Sequence, residues 1–135
     1  MFNDLIGIPH VYGGRSFDGI DCWGLSILAF GRFGITIPDY DIACSALKEE
    51  HFLPSSIGKI TNKFKSQWQY LKEPEAPCIV AMSMHFVVPD AITHLGVYIG
   101  EGKFIHIMED VCSSIAKIHH PFFVKKIKGF YRYVG

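Results

Sequence analysis

The sequence predicts one α+β domain: helices in the N-terminal half packed on an antiparallel β-sheet built by the C-terminal half. Two observations lead there, and two more bound the function. The chain runs from a glycine-rich loop through helical patterns into a series of short segments rich in β-branched and aromatic residues, without the βα alternation of a parallel sheet. Its 135 residues, 49% hydrophobic and 14% aromatic, suffice for one core, and no repeat or linker divides residues 1–135. Its 13 basic and 13 acidic residues cancel, which argues against bulk electrostatic binding of nucleic acid. No apolar run reaches 18 residues, so no membrane insertion is expected.

The elements follow in order. Gly7, Gly13, Gly14, Gly19 and Pro9 make residues 1–20 a sharply turning loop, read as neither helix nor strand. Residues 22–33, CWGLSILAFGRF, form an apolar helix with Asp21 as N-cap and Gly34 as stop, and Pro38 prevents continuation. In residues 41–72, Ile57, Ile60, Phe64, Trp68 and Leu71 recur at helical spacing behind Ser55 or Ser56 as cap, which predicts one or two short helices. Pro74 and Pro77 close that section. CIVAMSM, THLGVYIG, KFIHIM, SIAKIH and GFYRYV then read as strands separated by turn dipeptides.

Cys22, Cys44, Cys78 and Cys112 lack the C-x-x-C spacing of a zinc knuckle. The opening MFNDLIGIPHVYGG has no secretory leader pattern, so the expected setting is a reducing cytoplasm and the expected state is four free thiols. Cys22 differs from the others in starting a helix directly behind a glycine-rich loop. Unpaired N–H groups and the helix dipole at that point stabilise a thiolate, the nucleophilic form, and can receive an oxyanion. On position alone the ordinary reading, a buried cysteine that starts a helix, leads.

Histidines supply the second clue. In THLGVYIGEGKFIHIM, a three-residue loop Gly100–Gly102 pairs position 99 with 103, 97 with 105 and 95 with 107. Leu95, Val97, Ile99, Ile105 and Ile107 then share one face, and His94, Gly96, Tyr98, Phe104 and His106 share the other. His106 falls opposite Gly96, with His94 on its diagonal. A two-residue loop would put the histidines on opposite faces and break the apolar face as well. Two adjacent imidazoles suit a base and the group that orients it. They also suit two half-buried structural histidines, or a metal site with Cys22. The absence of an acidic ligand and of any sequence-local ligand pair disfavours the metal site, so no metal or cofactor is expected.

These residues carry a resemblance. GIPHVYGGRSFDGIDCWGL is similar to the nucleophile segment of NlpC-type cell-wall peptidases, which are papain-like cysteine peptidases, and HLGVYIGEGKFIH is similar to their histidine segment. The match runs from Ile6 to about Tyr133 with Cys, His, His in the family's order. It implies a papain-like fold and hydrolysis of peptide bonds in peptidoglycan stem peptides. By that resemblance Cys22 is the nucleophile, His94 the general base and His106 its orienting partner.

Two positions depart from the family. His10 stands where a tyrosine lining the oxyanion site is usual. Trp23 replaces the serine that follows the nucleophile, which implies a wider or more apolar cleft wall. Asp21 reads either as a substrate-amine contact or as a helix cap. Tyr12 and Arg15 face either substrate or solvent. The DCWGL variant, GRFGITIPDY and the closing GFYRYV resemble stand-alone peptidases encoded with phage tail genes. That branch implies phage tail proteins as partners and a place in the virion reached without a leader. It also leaves a rival open, a tail-tip protein using the fold as a binding module, and a third reading is acyl transfer.

Overall fold

A computed structural model describes residues 2–39, 66–83 and 94–135. A 3-10 turn, Asn3–Leu5, leads to two short strands, β1 (Arg15–Ser16) and β2 (Gly19–Ile20), then to helix α1 (Cys22–Gly31). Strands β3 (Trp68–Leu71), β4 (Cys78–Met82), β5 (His94–Gly100), β6 (Lys103–His106) and β7 (Ser114–Lys117) follow. A one-turn helix α2 (Pro121–Val124) precedes β8 (Ile127–Tyr133). Six strands form one sheet in the order β3-β8-β4-β5-β6-β7, with every neighbour antiparallel. This is the α+β architecture expected from the order of segments.

The helix α1 is apolar around most of its circumference and is buried accordingly. Gly34, at φ +77°, ends its C-terminal turn, and the Ile35 N–H returns to the Phe30 carbonyl. On one face of the sheet, Ile79, Ala81, Leu95, Val97 and Ile105 pack against Cys22, Trp23, Leu25, Ala29 and Phe30. On the other, Val80, Met82 and Phe104 pack against Ile118 and against Phe123 of α2. Strand β4 is buried on both faces, which accounts for its continuous apolar run. Among the described residues, no helix is long and apolar enough to cross a membrane.

Two expectations need correction. Residues 1–20 contain the 3-10 turn and the β1–β2 ladder, because the chain reverses at Phe17-Asp18 and pairs Arg15 with Ile20. Trp68 and Leu71 lie in strand β3, paired with Tyr133 and Phe130. The helical spacing is overridden there by the open edge of β8 and by an aromatic nest: Trp68 meets Trp23, Phe30 and Tyr133 at 6.0, 5.6 and 5.0 Å between ring centroids. Ser66 and Gln67 are helical as expected, and residues 41–65 of the middle section lie outside the described residues. Helix α2 was not expected, because one turn is too short to show a period.

Candidate active site

The start of α1 is clamped by the loop that precedes it. His10 bridges Ile20 in parallel, with Ile20 N–H donating to the Pro9 carbonyl and Val11 N–H to the Ile20 carbonyl, at 3.0 and 3.1 Å. This sets His10 beside the strand that runs directly into Asp21 and Cys22. The approach is close enough to require glycine. A Cβ on Gly24 would stand 2.5 Å from the Gly14 carbonyl oxygen, and one on Gly14 would stand 2.4 Å from that of Gly19.

Asp21 is fully buried, and its carboxylate accepts from the Gly24 N–H at 2.8 Å, as an N-cap does. The same oxygen takes Arg15 Nη1 at 2.6 Å, while the outer edge of that guanidinium reaches the exposed Asp39 at 2.9 Å. Asp21 is therefore a cap and an ion-pair partner. Trp23, expected at a cleft wall, is a core residue instead: it has no exposed surface and its indole N–H donates to the Pro38 carbonyl at 3.0 Å. A helix buried nearly all round leaves that position no solvent side.

Cys22 is buried and disulfide-bonded, whereas Cys78 and Cys112 are free, so the expectation of four free thiols does not hold. Cys44 lies outside the described residues. Burial in β4 pushes the Cys78 thiol up to about 12, which makes it unreactive at neutral pH.

The histidines alternate along β5 and β6 with Leu95, Val97 and Ile105, which pack on α1. Gly96 pairs with His106, Val97 with Ile105 and Tyr98 with Phe104, the register read from the apolar pattern. The turn differs from the expected three-residue loop. Gly100 pairs with Lys103 across Glu101-Gly102, both at positive φ, and a bulge between Tyr98 and Gly100 restores the phase. The bulge is what lets a two-residue turn keep both histidines on one face. His94 Nε2 and His106 Nδ1 lie 2.9 Å apart, buried. A Cβ on Gly96 would stand 2.9 Å from the Phe104 ring, 3.0 Å from the Ile105 carbonyl and 3.2 Å from His106 Cβ, so the absent side chain makes room for the pair. Burial holds both imidazoles below their ordinary pKa, and the neighbouring His106 and His10 lower that of His94 further.

A cleft of about 420 Å³ opens between Pro9, His10 and Tyr12 on one side and Glu109, Asp110, Val111 and Cys112 on the other. Its two walls are tied by the buried Ser113, whose hydroxyl accepts from the Ile8 N–H at 2.9 Å and donates to the Leu5 carbonyl. Backbone bonds Gly7 N–H to Ser113 carbonyl and Ser113 N–H to Ile8 carbonyl, both 2.9 Å, complete the tie.

The family model of NlpC/P60 proteins matches residues 7–132. The chain belongs to the NlpC/P60 family. Solved structures repeat the fold. An NlpC/P60 family protein from Bacillus cereus is 21% identical at TM-score 0.60, covering 97% of this chain and 37% of its own. NlpC2 from Trichomonas vaginalis is 19% identical at 0.65, covering 96% and 43%. The NlpC/p60 domain of the peptidoglycan hydrolase SagA is 15% identical at 0.57, covering 95% and 89%. The chain thus spans under two fifths of the length of the Bacillus cereus protein. No curated protein matches the chain. NlpC/P60 domains are in general cysteine peptidases of the cell wall.

In this NlpC/P60 domain the structure joins His94 to His106 and seats His10 beside Ile20, two residues before Cys22. Tyr12 is an exposed residue of the cleft rim. Cys22 packs in the α1 layer, and His94 and His106 lie on β5 and β6 with their hydrogen bond to each other. Among the described residues, no group of three or more His, Cys, Asp or Glu is placed to hold a metal ion. Sequence reasoning missed Ser113 and Phe123. Nothing local marks a serine as a tie between distant loops, and Phe123 lies in a segment with no legible period.

Proposed function

We propose that this domain is a cysteine peptidase that hydrolyses amide bonds of peptidoglycan stem peptides, with Cys22 as nucleophile, His94 as general base and then acid, and His106 as the group that orients His94. The observation that carries the reading is the buried 2.9 Å His94–His106 pair in an NlpC/P60 domain in which Cys22 starts a helix behind a clamped glycine loop.

The chemistry begins with reduction. A disulfide sulfur is no nucleophile, so a dithiol must first exchange with the Cys22 disulfide, releasing the Cys22 thiol and its partner thiol and leaving as its own cyclic disulfide. Neutral His94 then takes the thiol proton. The new thiolate is an opposite charge beside the imidazolium and raises its pKa from the depressed value of the disulfide form. The thiolate attacks the amide carbonyl, and the oxyanion is received by the Cys22 N–H and a ring N–H of His10. His94 returns its proton to the departing amine. Water, deprotonated by His94, hydrolyses the thioester and restores the thiol. The peptide lies in the cleft between the His10–Tyr12 and Glu109–Cys112 walls.

The setting proposed is a phage tail, with tail proteins as partners and delivery in the virion, on the strength of the DCWGL, GRFGITIPDY and GFYRYV segments. The disulfide at Cys22 favours a second reading, a tail-tip binding module without turnover. One experiment separates them: reduced protein and its Cys22→Ala variant are incubated with purified peptidoglycan, and muropeptide release is followed by mass spectrometry. Release by the first alone supports the peptidase. Release by both overturns the nucleophile assignment, and release by neither favours the binding module.

A further inference from the structure

The peptidase reading leaves one chemical question open on the His94–His106 pair: which nitrogen holds the shared proton. The inference below rests on that reading and deepens it. If His94 Nε2–H donates to His106 Nδ1, the other nitrogen of His94 is bare and can take a proton from a thiol. If His106 Nδ1–H donates to His94 Nε2, neutral His94 carries its proton on Nδ1 and has no basic nitrogen to offer. The first arrangement requires His106 to carry its own proton on Nε2. That N–H is in a buried ring, and among the described residues the hydrogen bond to His94 is the one formed by the His106 imidazole.

The surroundings of His106 are aromatic. Phe104 lies 4.9 Å away at 50°, His94 5.2 Å at 72°, and Phe123 5.1 Å at 87°. Phe123 is itself set perpendicular to Phe104, at 5.2 Å and 90°. It is the one buried residue of α2. The turn that carries it is tied at both ends. His120 Nδ1 accepts from the Phe122 N–H, the Phe123 N–H and Val124 N–H reach the His120 carbonyl, and the Lys126 N–H returns to the Phe123 carbonyl. Pro121 at the first helical position presets the turn. Helix α2 therefore delivers a single fixed ring to the second histidine of the pair.

An aromatic face is electron-rich, so a perpendicular ring edge meeting it is favoured when that edge carries an N–H and disfavoured when it carries a nitrogen lone pair. We propose that Phe123 is a positioning residue that sets the tautomer of the pair: its ring accepts the Nε2–H of His106, which leaves His106 Nδ1 as acceptor, His94 Nε2–H as donor, and His94 Nδ1 as the base. No covalent step is involved, and the selection operates whether or not substrate is present.

Imidazole nitrogen shifts report tautomers directly. In reduced, ¹⁵N-labelled protein at neutral pH, both His94 and His106 are expected as Nε2–H tautomers. Phe123→Leu keeps an apolar filling and removes the π face. His106 is then expected to shift toward a mixture of tautomers, with kcat for stem-peptide cleavage falling about tenfold and KM unchanged. Phe123→Tyr, which keeps the ring, restores both. Phe123→Met serves in place of Leu if that variant does not fold. Two results overturn the proposal: an Nδ1–H tautomer of His106 in the unaltered protein, or an unchanged tautomer in Phe123→Leu or Phe123→Met. Absence of cleavage by the unaltered protein counts against the peptidase reading alone, since the tautomer is read without turnover.

Discussion

The two halves of the site are built on opposite electrostatic principles. At the start of α1, Arg15, Asp21 and Asp39 form a charged chain running from the buried cap to the surface, and the helix start favours an anion. On β5 and β6, His94 and His106 are buried, with Phe104 and Phe123 against His106, and burial favours the neutral form of both. The difference suits the nucleophile and the base proposed for the two halves. A cysteine works as an anion and is helped by dipoles and fixed charge, whereas a base must be uncharged before it acts, which a dry environment ensures.

The strongest test of this contrast is redox. Without reductant, peptidoglycan cleavage is expected to be absent. A dithiol is expected to restore it while thiol titration counts the groups released. Cleavage by fully oxidised protein would remove Cys22 from the mechanism.

The charged half is expected to dominate folding stability. Asp21→Ala removes a cap and a hydrogen bond to a charged group, about 2–4 kcal/mol together, read from urea unfolding. Asp21→Asn keeps the cap and is expected to cost less. Equal losses would show that the cap contributes little.

The neutral half is sensitive to space. Gly96→Ala forces β6 and the Phe104 ring outward, at about 1–3 kcal/mol, and is expected to lengthen the His94–His106 contact. Unchanged activity and stability would mean that the hairpin yields freely.

The neutrality of the pair also predicts pH-dependent stability. Both imidazoles have folded pKa values below the ordinary 6.5, so the unfolded chain binds more protons between those values and 6.5. Stability is full above 6.5 and falls as pH drops through that window, by about 1.4 kcal/mol per pH unit for each imidazole kept neutral. His106→Asn is expected to flatten the slope in urea titrations from pH 7 to 5.

Much of this was legible in the sequence because the signals were local. Asp21 before an apolar helix and Gly34 after it mark α1 by capping chemistry alone. The hairpin register was legible because the apolar residues occupy alternate positions, and a slip would expose Leu95, Val97 and Ile105. The bulge was not legible, since it is a shift of pairing between Tyr98 and Gly100 that no residue type in the segment marks. Trp68 was misread because its spacing fits a helix while its partners, Trp23, Phe30 and Tyr133, are remote in sequence.

The sequence by itself determined the α+β class, the helix that starts at Cys22 and the shared face of His94 and His106, because caps and two-residue periodicity act over a few neighbours. Only the tertiary structure decided that Trp23 is core, that Asp21 is paired with Arg15, that Ser113 ties the cleft walls and that Phe123 stands against His106. Each of these depends on which distant surfaces bury one another, and burial is a property of the packed chain rather than of any segment within it.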